Sequence, residues 1–289
     1  MRLFLLTALA MSAFAANSVL NRMAVAGGKI DPIDFAVVRL IAGAGMLACV
    51  MGLRSLRGGA LWAGWQGRGA GVFGLLVYLF AFSAAYQSLD AGVGALILFG
   101  AVQVTMFAGA VIAKDALPLQ RWLGAGLAFL GLVVLMAPGS GSVPSLSAGA
   151  TMAIAGVGWG FYSLAGRRAE DALASTAWNF LLSVPVMVLV LWLGPSFGGV
   201  PVSAQAQGIW LAIISGAITS GLGYALWYAL VPGLGASRAG VAQLTVPLIA
   251  AAGGAVLIGE SVGLRFAIAA AMVLGGVGFA SIQSGFFKR

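Results

Sequence analysis

The chain has 289 residues, 61% of them hydrophobic and 8% charged, and a mean hydropathy of +1.06. A soluble protein carries about 25% charged residues, and a globule of this length has too little interior for so much apolar surface, so a soluble enzyme, a nucleic-acid module and a disordered chain are excluded. The formal charge of +8 reads as basic residues at the ends of membrane spans; the expected surroundings are a lipid bilayer, with no nucleic acid and no obligate protein partner.

A spanning helix needs about 20 mainly apolar residues. Ten spans are predicted, at 3–25, 33–53, 69–88, 91–112, 119–137, 147–166, 175–194, 208–230, 236–258 and 264–284. Turn signals divide the longest apolar runs at 137–142, 194–195 and 198–201. The N-terminus, with Ala13-Phe14-Ala15, has the look of a cleavable signal. Cleavage there would leave nine spans, so this segment is expected to stay as the first span. With the N-terminus inside, the inner face collects Arg2, Arg54, Arg57, Arg68, Lys114, Arg121, Arg167, Arg168, Arg238, Lys288 and Arg289. The outer face collects only Arg22, Lys29 and Arg265, and Arg39 falls within span two. This bias, with an even number of spans, predicts that both termini are cytoplasmic.

A shift of 145 residues lays the chain over itself. Ala110-Val-Ile-Ala-Lys-Asp115 falls on Ala255-Val-Leu-Ile-Gly-Glu260, Phe14 on Trp159, Ser18 on Ser163 and Arg22 on Arg167. Residues 1–137 and 147–284 thus form two repeats of five spans each. Five is odd, so the second repeat enters the membrane from the opposite side. Inverted repeats of this kind place a substrate site near the midplane between the halves. The expected fold is therefore all-α, ten spans in two inverted five-helix repeats around a central cavity.

Pro32-Ile-Asp-Phe-Ala-Val-Val-Arg39-Leu-Ile-Ala resembles the second-helix pattern of EamA-type transporters in the drug/metabolite transporter superfamily. Pro247, Gly259-Glu260 and Gly275-Gly276-Val277 resemble the end of that family's second repeat. The first repeat departs from the pattern, with Lys114-Asp115 in place of Gly-Glu and Val102 in place of the proline. Within the superfamily the whole chain is most similar to YddG-type exporters of aromatic and other amino acids. That resemblance implies a bacterial inner membrane and export of neutral and aromatic amino acids, with multidrug or other metabolite efflux as the alternative.

Polar side chains inside spans are expected to face the interior. Gln103 in span four, Asn17 in span one and Gln243 in span nine offer amides to a zwitterion, or else bond helix to helix. Tyr78, Phe82 and Tyr86 share one face of span three, as Tyr224 and Tyr228 do in span eight, with Trp227 adjacent; Trp159 and Tyr162 share a face of span six. These aromatics suit stacking and cation–π contact, or core packing, with the interfacial belt favoured for Tyr86 and Tyr228. Arg39 can attract a carboxylate or snorkel. Pro185 and Pro247 interrupt spans, and Pro247, beside Gln243, is the favoured hinge. Gly156 with Gly160, and Ala236 with Gly240, suit close helix approach.

The chain has no His and one Cys, Cys49, which leaves neither a Cys/His metal site nor a Ser–His pair. No cofactor and no catalytic residue is expected. No Asp or Glu falls in mid-span, so the expected mode is a uniporter or exchanger without a carboxylate proton relay.

Overall fold

The structure, a computed structural model, describes residues 1–114, 118–137, 145–166, 169–193 and 204–281, without the side chains of 193, 235–238, 240 and 281. Asp115, Arg167, Arg168, Lys288 and Arg289, and the side chains of Ala236, Arg238 and Gly240, lie outside the described residues. The described chain is helical throughout, with no strand among the described residues. The helices are α1 (Arg2–Val25), α2 (Pro32–Ser55), α3 (Arg68–Ala85), α4 (Ala91–Ile112), α5 (Leu119–Met136), α6 (Leu146–Gly166) and α7 (Ala172–Leu193). They continue with α8 (Ala206–Ile213), a π-helical stretch (Ile214–Leu222), α9 (Gly223–Gln243), α10 (Val246–Ile258) and α11 (Leu264–Ser281).

Among the described residues eight helical stretches are long and apolar enough to cross a membrane, and Leu264–Ala280 is a shorter apolar one. Helix α1, with 24 residues, is about 36 Å long at 1.5 Å per residue and exceeds the hydrocarbon core of about 30 Å. Its outward side chains stay bare, as Phe4 (75% exposed) does, and so do Trp192 of α7 and Val256 of α10. Lipid is the solvent that accepts such a surface.

Local signals set several boundaries. Asp31 caps α2, its carboxylate accepting from Ile33 N at 2.8 Å, with Pro32 in the first turn, where a missing N–H costs nothing. Gly259 ends α10 at φ +77°, and Glu260 N returns to Gly254 O at 3.2 Å, a left-handed cap that suits glycine. Lys114, which the 145-residue shift lays over Gly259, is also left-handed at φ +57°.

Two expectations about helix breaks are corrected. Pro247 was expected to interrupt span nine; it opens α10 instead, directly after a turn at Leu244–Thr245, so it breaks no ladder bond. The break in span nine falls at that turn, two residues before Pro247. Tyr224 and Gln243 are 19 residues apart yet line one pocket, whereas a straight helix would part them by about 28 Å. Helix α9 therefore folds back, with Pro232 inside it, and spans eight and nine are joined by helical backbone. Pro185 lies inside α7 as expected.

Helix α6 lies between α3 and α4. A methyl on Gly158 would come within 2.9 Å of Gly74 O and Tyr78 N of α3, and one on Gly160 within 2.6 Å of Thr105 Cβ of α4. Gly156 abuts Leu98 O and Ala101 of α4. Between α5 and α11, Gly131 would meet Ala269 O at 3.0 Å and Gly276 would meet Ala128 N at 2.8 Å. In lipid, such close packing replaces hydrophobic burial as the force between helices.

Gly158→Val would push backbone against backbone and is expected to cost about 1–3 kcal/mol or more. Gly126→Ala, at a position with nothing within 4 Å, is expected to be neutral. Thermal unfolding of both variants in detergent tests this; equal midpoints would show that the α3–α6 contact carries no stability.

Candidate functional site

Two hollows in the bundle share lining residues. The larger, a vestibule of about 400 Å³, lies among α1, α4, α6, α7 and α9. It reaches Gly166 and Ala172, at the end of α6 and the start of α7. The smaller, deep pocket of about 30 Å³ is bounded by Asn17, Ser18, Tyr78, Phe82, Leu98 and Phe99. Phe14, Trp159, Tyr224 and Gln243 line both.

The aromatic wall is continuous. Trp159 stacks on Tyr162 (centroids 4.9 Å apart) and on Tyr224 (5.4 Å), and tilts against Tyr78 at 4.8 Å. Phe14 closes the ring 5.5 Å from Tyr224 and 5.8 Å from Trp227. Two routes build this wall. The glycines of α6 let Trp159 and Tyr162 approach α3, and the fold in α9 brings Tyr224 and Gln243 together.

Of the sequence candidates, Gln103, Trp159, Tyr162, Tyr224, Trp227 and Gln243 line the vestibule, and Asn17, Tyr78 and Phe82 line the deep pocket. Asn17 is partly committed elsewhere. Its side-chain oxygen accepts from Ser215 (2.8 Å), Thr219 (2.6 Å) and Ser220 (3.3 Å), tying α1 to the π-helical stretch. Arg39 does not line either hollow and does not snorkel. It is fully buried, donating from Nη2 to Tyr78 Oη at 2.9 Å and from Nε to Ser220 Oγ at 3.2 Å.

The belt expectation fails for both tyrosines. Tyr86 is fully buried and donates to Ala91 O, and Tyr228 lines the vestibule. Tyr86 is covered by neighbouring helices, and Tyr228, inside α9, faces the hollow.

Other lining residues escaped sequence reasoning. Ser175, Thr176 and Asn179 of α7 line the vestibule. The spacing of Ser175, Asn179 and Ser183, four apart in an apolar helix, is a polar stripe that could have marked them. Arg68, read as an orientation marker, is buried and donates to Ser175 O (2.6 Å) and Asn179 Oδ1 (2.8 Å), so it holds that stripe in place. Thr176 Oγ1 accepts from Tyr162 Oη at 2.7 Å.

Charged groups join α1, α4 and α10 at the Arg22 end of the bundle. Arg22, in the last turn of α1, donates to Glu260 Oε1 (2.9 Å), to Asp90 Oδ1 (3.2 Å) and to the carbonyls of Tyr86 and Gln87. Glu260 Oε2 also accepts from Ala91 N at 2.8 Å. Gly259 makes this possible by turning Glu260 back over the end of α10. At the vestibule end, Arg54 of α2 pairs with Asp171 before α7. Burial raises the Asp171 carboxyl, but the Arg54 guanidinium and the N–H groups of Ala174 and Leu173 outweigh it and hold the group below its ordinary range.

No Asp, Glu, Lys or Arg is among the described residues that line either hollow, and no group of three or more His, Cys, Asp or Glu is placed to hold a metal among the described residues. A membrane-embedded helical bundle around a hollow lined by aromatics and amides suits a small-molecule transporter. The EamA-like transporter family model matches residues 1–137 and 147–282, and the chain belongs to that family. It is a multi-pass membrane protein. An uncharacterized protein of Pseudomonas aeruginosa is 44% identical over 276 residues, 96% of this chain and 93% of its own length. An uncharacterized transporter of Archaeoglobus fulgidus is 25% identical over 212 residues, 72% of this chain and 74% of its own. A protein of known crystal structure shares the fold with a TM-score of 0.66 at 21% identity, covering 96% of this chain and 98% of that one.

Two outcomes are expected. In a double-mutant cycle of Arg22→Ala and Glu260→Ala the pair should show a coupling of about 1–3 kcal/mol in thermal unfolding; additive losses would remove this pair from the stability of this state. The Arg54–Asp171 pair should stabilise by up to about 1 kcal/mol, since both partners are partly exposed and screened. Because the folded Asp171 value lies below the unfolded one, this contribution is complete above the ordinary carboxylate range and fades as pH falls through the folded value. Melting of the wild type against Asp171→Asn over pH should therefore converge in acid; a constant gap would refute the assignment.

Proposed function

We propose that this protein exports neutral and aromatic amino acids across a bacterial inner membrane by alternating access, as a uniporter or exchanger. The observation that carries the reading is the vestibule itself: about 400 Å³, lined by Trp159, Tyr162, Tyr224 and Trp227 together with Gln103 and Gln243. This volume lies within the range of small-molecule sites. Its rings suit an apolar side chain and its amides suit the charged ends of a zwitterion.

The Lys and Arg bias orients the vestibule end towards the cytoplasm, so the chain is drawn inward-facing, with the Arg22 cluster as the closed outer end. Ten spans in two inverted repeats, residues 1–137 and 147–284, would rock about the aromatic wall. The shared left-handed turn at Lys114 and Gly259, two positions 145 residues apart, supports that duplication. No carboxylate among the described residues lines the path, which supports movement without a proton relay. Gln103, Trp159, Tyr162, Tyr224, Trp227 and Gln243 are the binding residues under this reading, with Asn17, Tyr78 and Phe82 beneath them.

The test is release of preloaded amino acids from proteoliposomes, with and without a proton gradient. Release independent of the gradient and reduced by Gln103→Ala or Trp159→Ala, by about 10-fold or more for loss of a stacked ring or a buried hydrogen bond, is the expected result. Proton-dependent movement of drug-like cations with no amino-acid release would overturn it in favour of multidrug efflux.

A further inference from the structure

Arg39 is a buried cation with no anion. It has no exposed surface, and the ion pairs among the described residues join Arg22 to Asp90 and Glu260, and Arg54 to Asp171, but none reaches Arg39. Its Nη1 is buried without an acceptor. The guanidinium lies 5.3 Å from the ring centre of Tyr78 and 5.0 Å from that of Phe82. Ring faces and two hydroxyls offset part of the desolvation, yet unlike buried Arg68, whose nitrogens are all bonded, Arg39 keeps a nitrogen with neither acceptor nor counter-charge, and ionisable groups inside a membrane mark substrate paths.

Tyr78 and Phe82 also form the wall of the deep pocket, so Arg39 stands one ring behind it. Tyr78 Oη accepts from Arg39, and among the described hydrogen bonds the Tyr78 hydroxyl donates to no one, so its proton is uncommitted. A hydroxyl that accepts from a cation becomes a stronger donor. The pocket, at about 30 Å³, has room for a carboxylate and none for an aromatic ring. A ring must therefore stay in the vestibule, among Trp159, Tyr224 and Phe14.

We propose that the deep pocket is a carboxylate seat, in which the Tyr78 hydroxyl donates to the anionic end of the substrate and Arg39 supplies the counter-charge from behind. The proposal rests on the transport reading and narrows it. Because no described residue lining either hollow is Asp or Glu, nothing there selects for an ammonium by charge. The substrate class is apolar and aromatic monocarboxylates: α-amino acids are one case, and acids without the amine are another. Arg39 is a positioning residue that acts through Tyr78.

The experiment uses the full chain in detergent and in proteoliposomes, with three probes of one shape: phenylalanine, 3-phenylpropionate (no amine) and phenethylamine (no carboxylate). Binding is read by calorimetry and movement by counterflow. The two acids are expected to bind alike, and phenethylamine about 10- to 100-fold more weakly, the worth of a charge-assisted hydrogen bond. Tyr78→Phe keeps the ring and is expected to erase that preference by weakening the acids alone. Arg39→Gln is expected to do the same, and Arg39→Lys to restore part of it, a split that a purely structural role would not produce. If phenylalanine and phenethylamine bind and move equally, or if Tyr78→Phe weakens acid and amine by the same factor, the carboxylate seat is refuted while amino-acid export stands. If 3-phenylpropionate binds and moves but phenylalanine does neither, the seat stands and the amino-acid reading falls. If no probe binds the wild type, both fall.

Discussion

The absence of a Cβ at Gly156, Gly158 and Gly160 is the constraint on which the interior depends. It lets α6 touch the backbone of α3 on one side and lie against α4 on the other. With α6 held so closely, Trp159 and Tyr162 have nowhere to point except into the space between α3, α4 and α9, where they stack with Tyr224. A larger residue at Gly158 would push α6 outward and open that wall. The same contact makes the tyrosine stripe of α3 inward-facing. Close helix approach and the aromatic cavity are therefore one feature, produced by small and large residues alternating along a single helix.

The membrane character and most of the spans were legible because they rest on composition and length, which survive any error in packing. The stripes on α3 and α6 were legible too, because the helical period needs no tertiary information. What escaped were properties set by neighbours. Tyr86 and Tyr228 lie near span ends, and depth alone suggested the bilayer interface, but flanking helices cover the first and a hollow takes the second. Pro247 looked like a kink because sequence cannot show that the helix had already stopped at Leu244–Thr245. Arg39 looked able to snorkel because no local signal shows that Tyr78 and Ser220 lie within its reach. The polar stripe of α7 was visible in principle at a spacing of four residues, but serines and threonines in spans usually satisfy their own backbone, as Ser183 does on Asn179 O.

Charge is distributed so that each basic group has a different task. Arg68 is fully used by carbonyls, a hydroxyl and an amide, and binds α3 to α7. Arg22 is used by two carboxylates and two carbonyls, and binds α1 to α4 and to the end of α10. Both are near helix ends, where a guanidinium can satisfy most of its five donors. Arg39 is in mid-helix, where neighbouring backbone groups are already paired, and it keeps one nitrogen without an acceptor. The difference is one of position: of the two arginines buried among the described residues, Arg39 keeps a nitrogen without an acceptor and Arg68 does not.

The Arg22 end of the bundle shows how little backbone geometry such a tie needs. Glu260 reaches Arg22 because Gly259 takes a left-handed turn that L-residues adopt at a cost of about 1–2 kcal/mol. At the matching position in the first half Lys114 makes the same turn without glycine's freedom. A residue other than glycine holds such a φ only where its surroundings over-determine it, as Lys114 does here. In the second half the turn serves a carboxylate that ties three helices together. Separating α1 from the end of α10 breaks the Arg22–Glu260 pair, while the Ala91 N–H bond ties Glu260 to α4. Four of these contacts share the one Arg22 guanidinium, so removing that side chain removes them together.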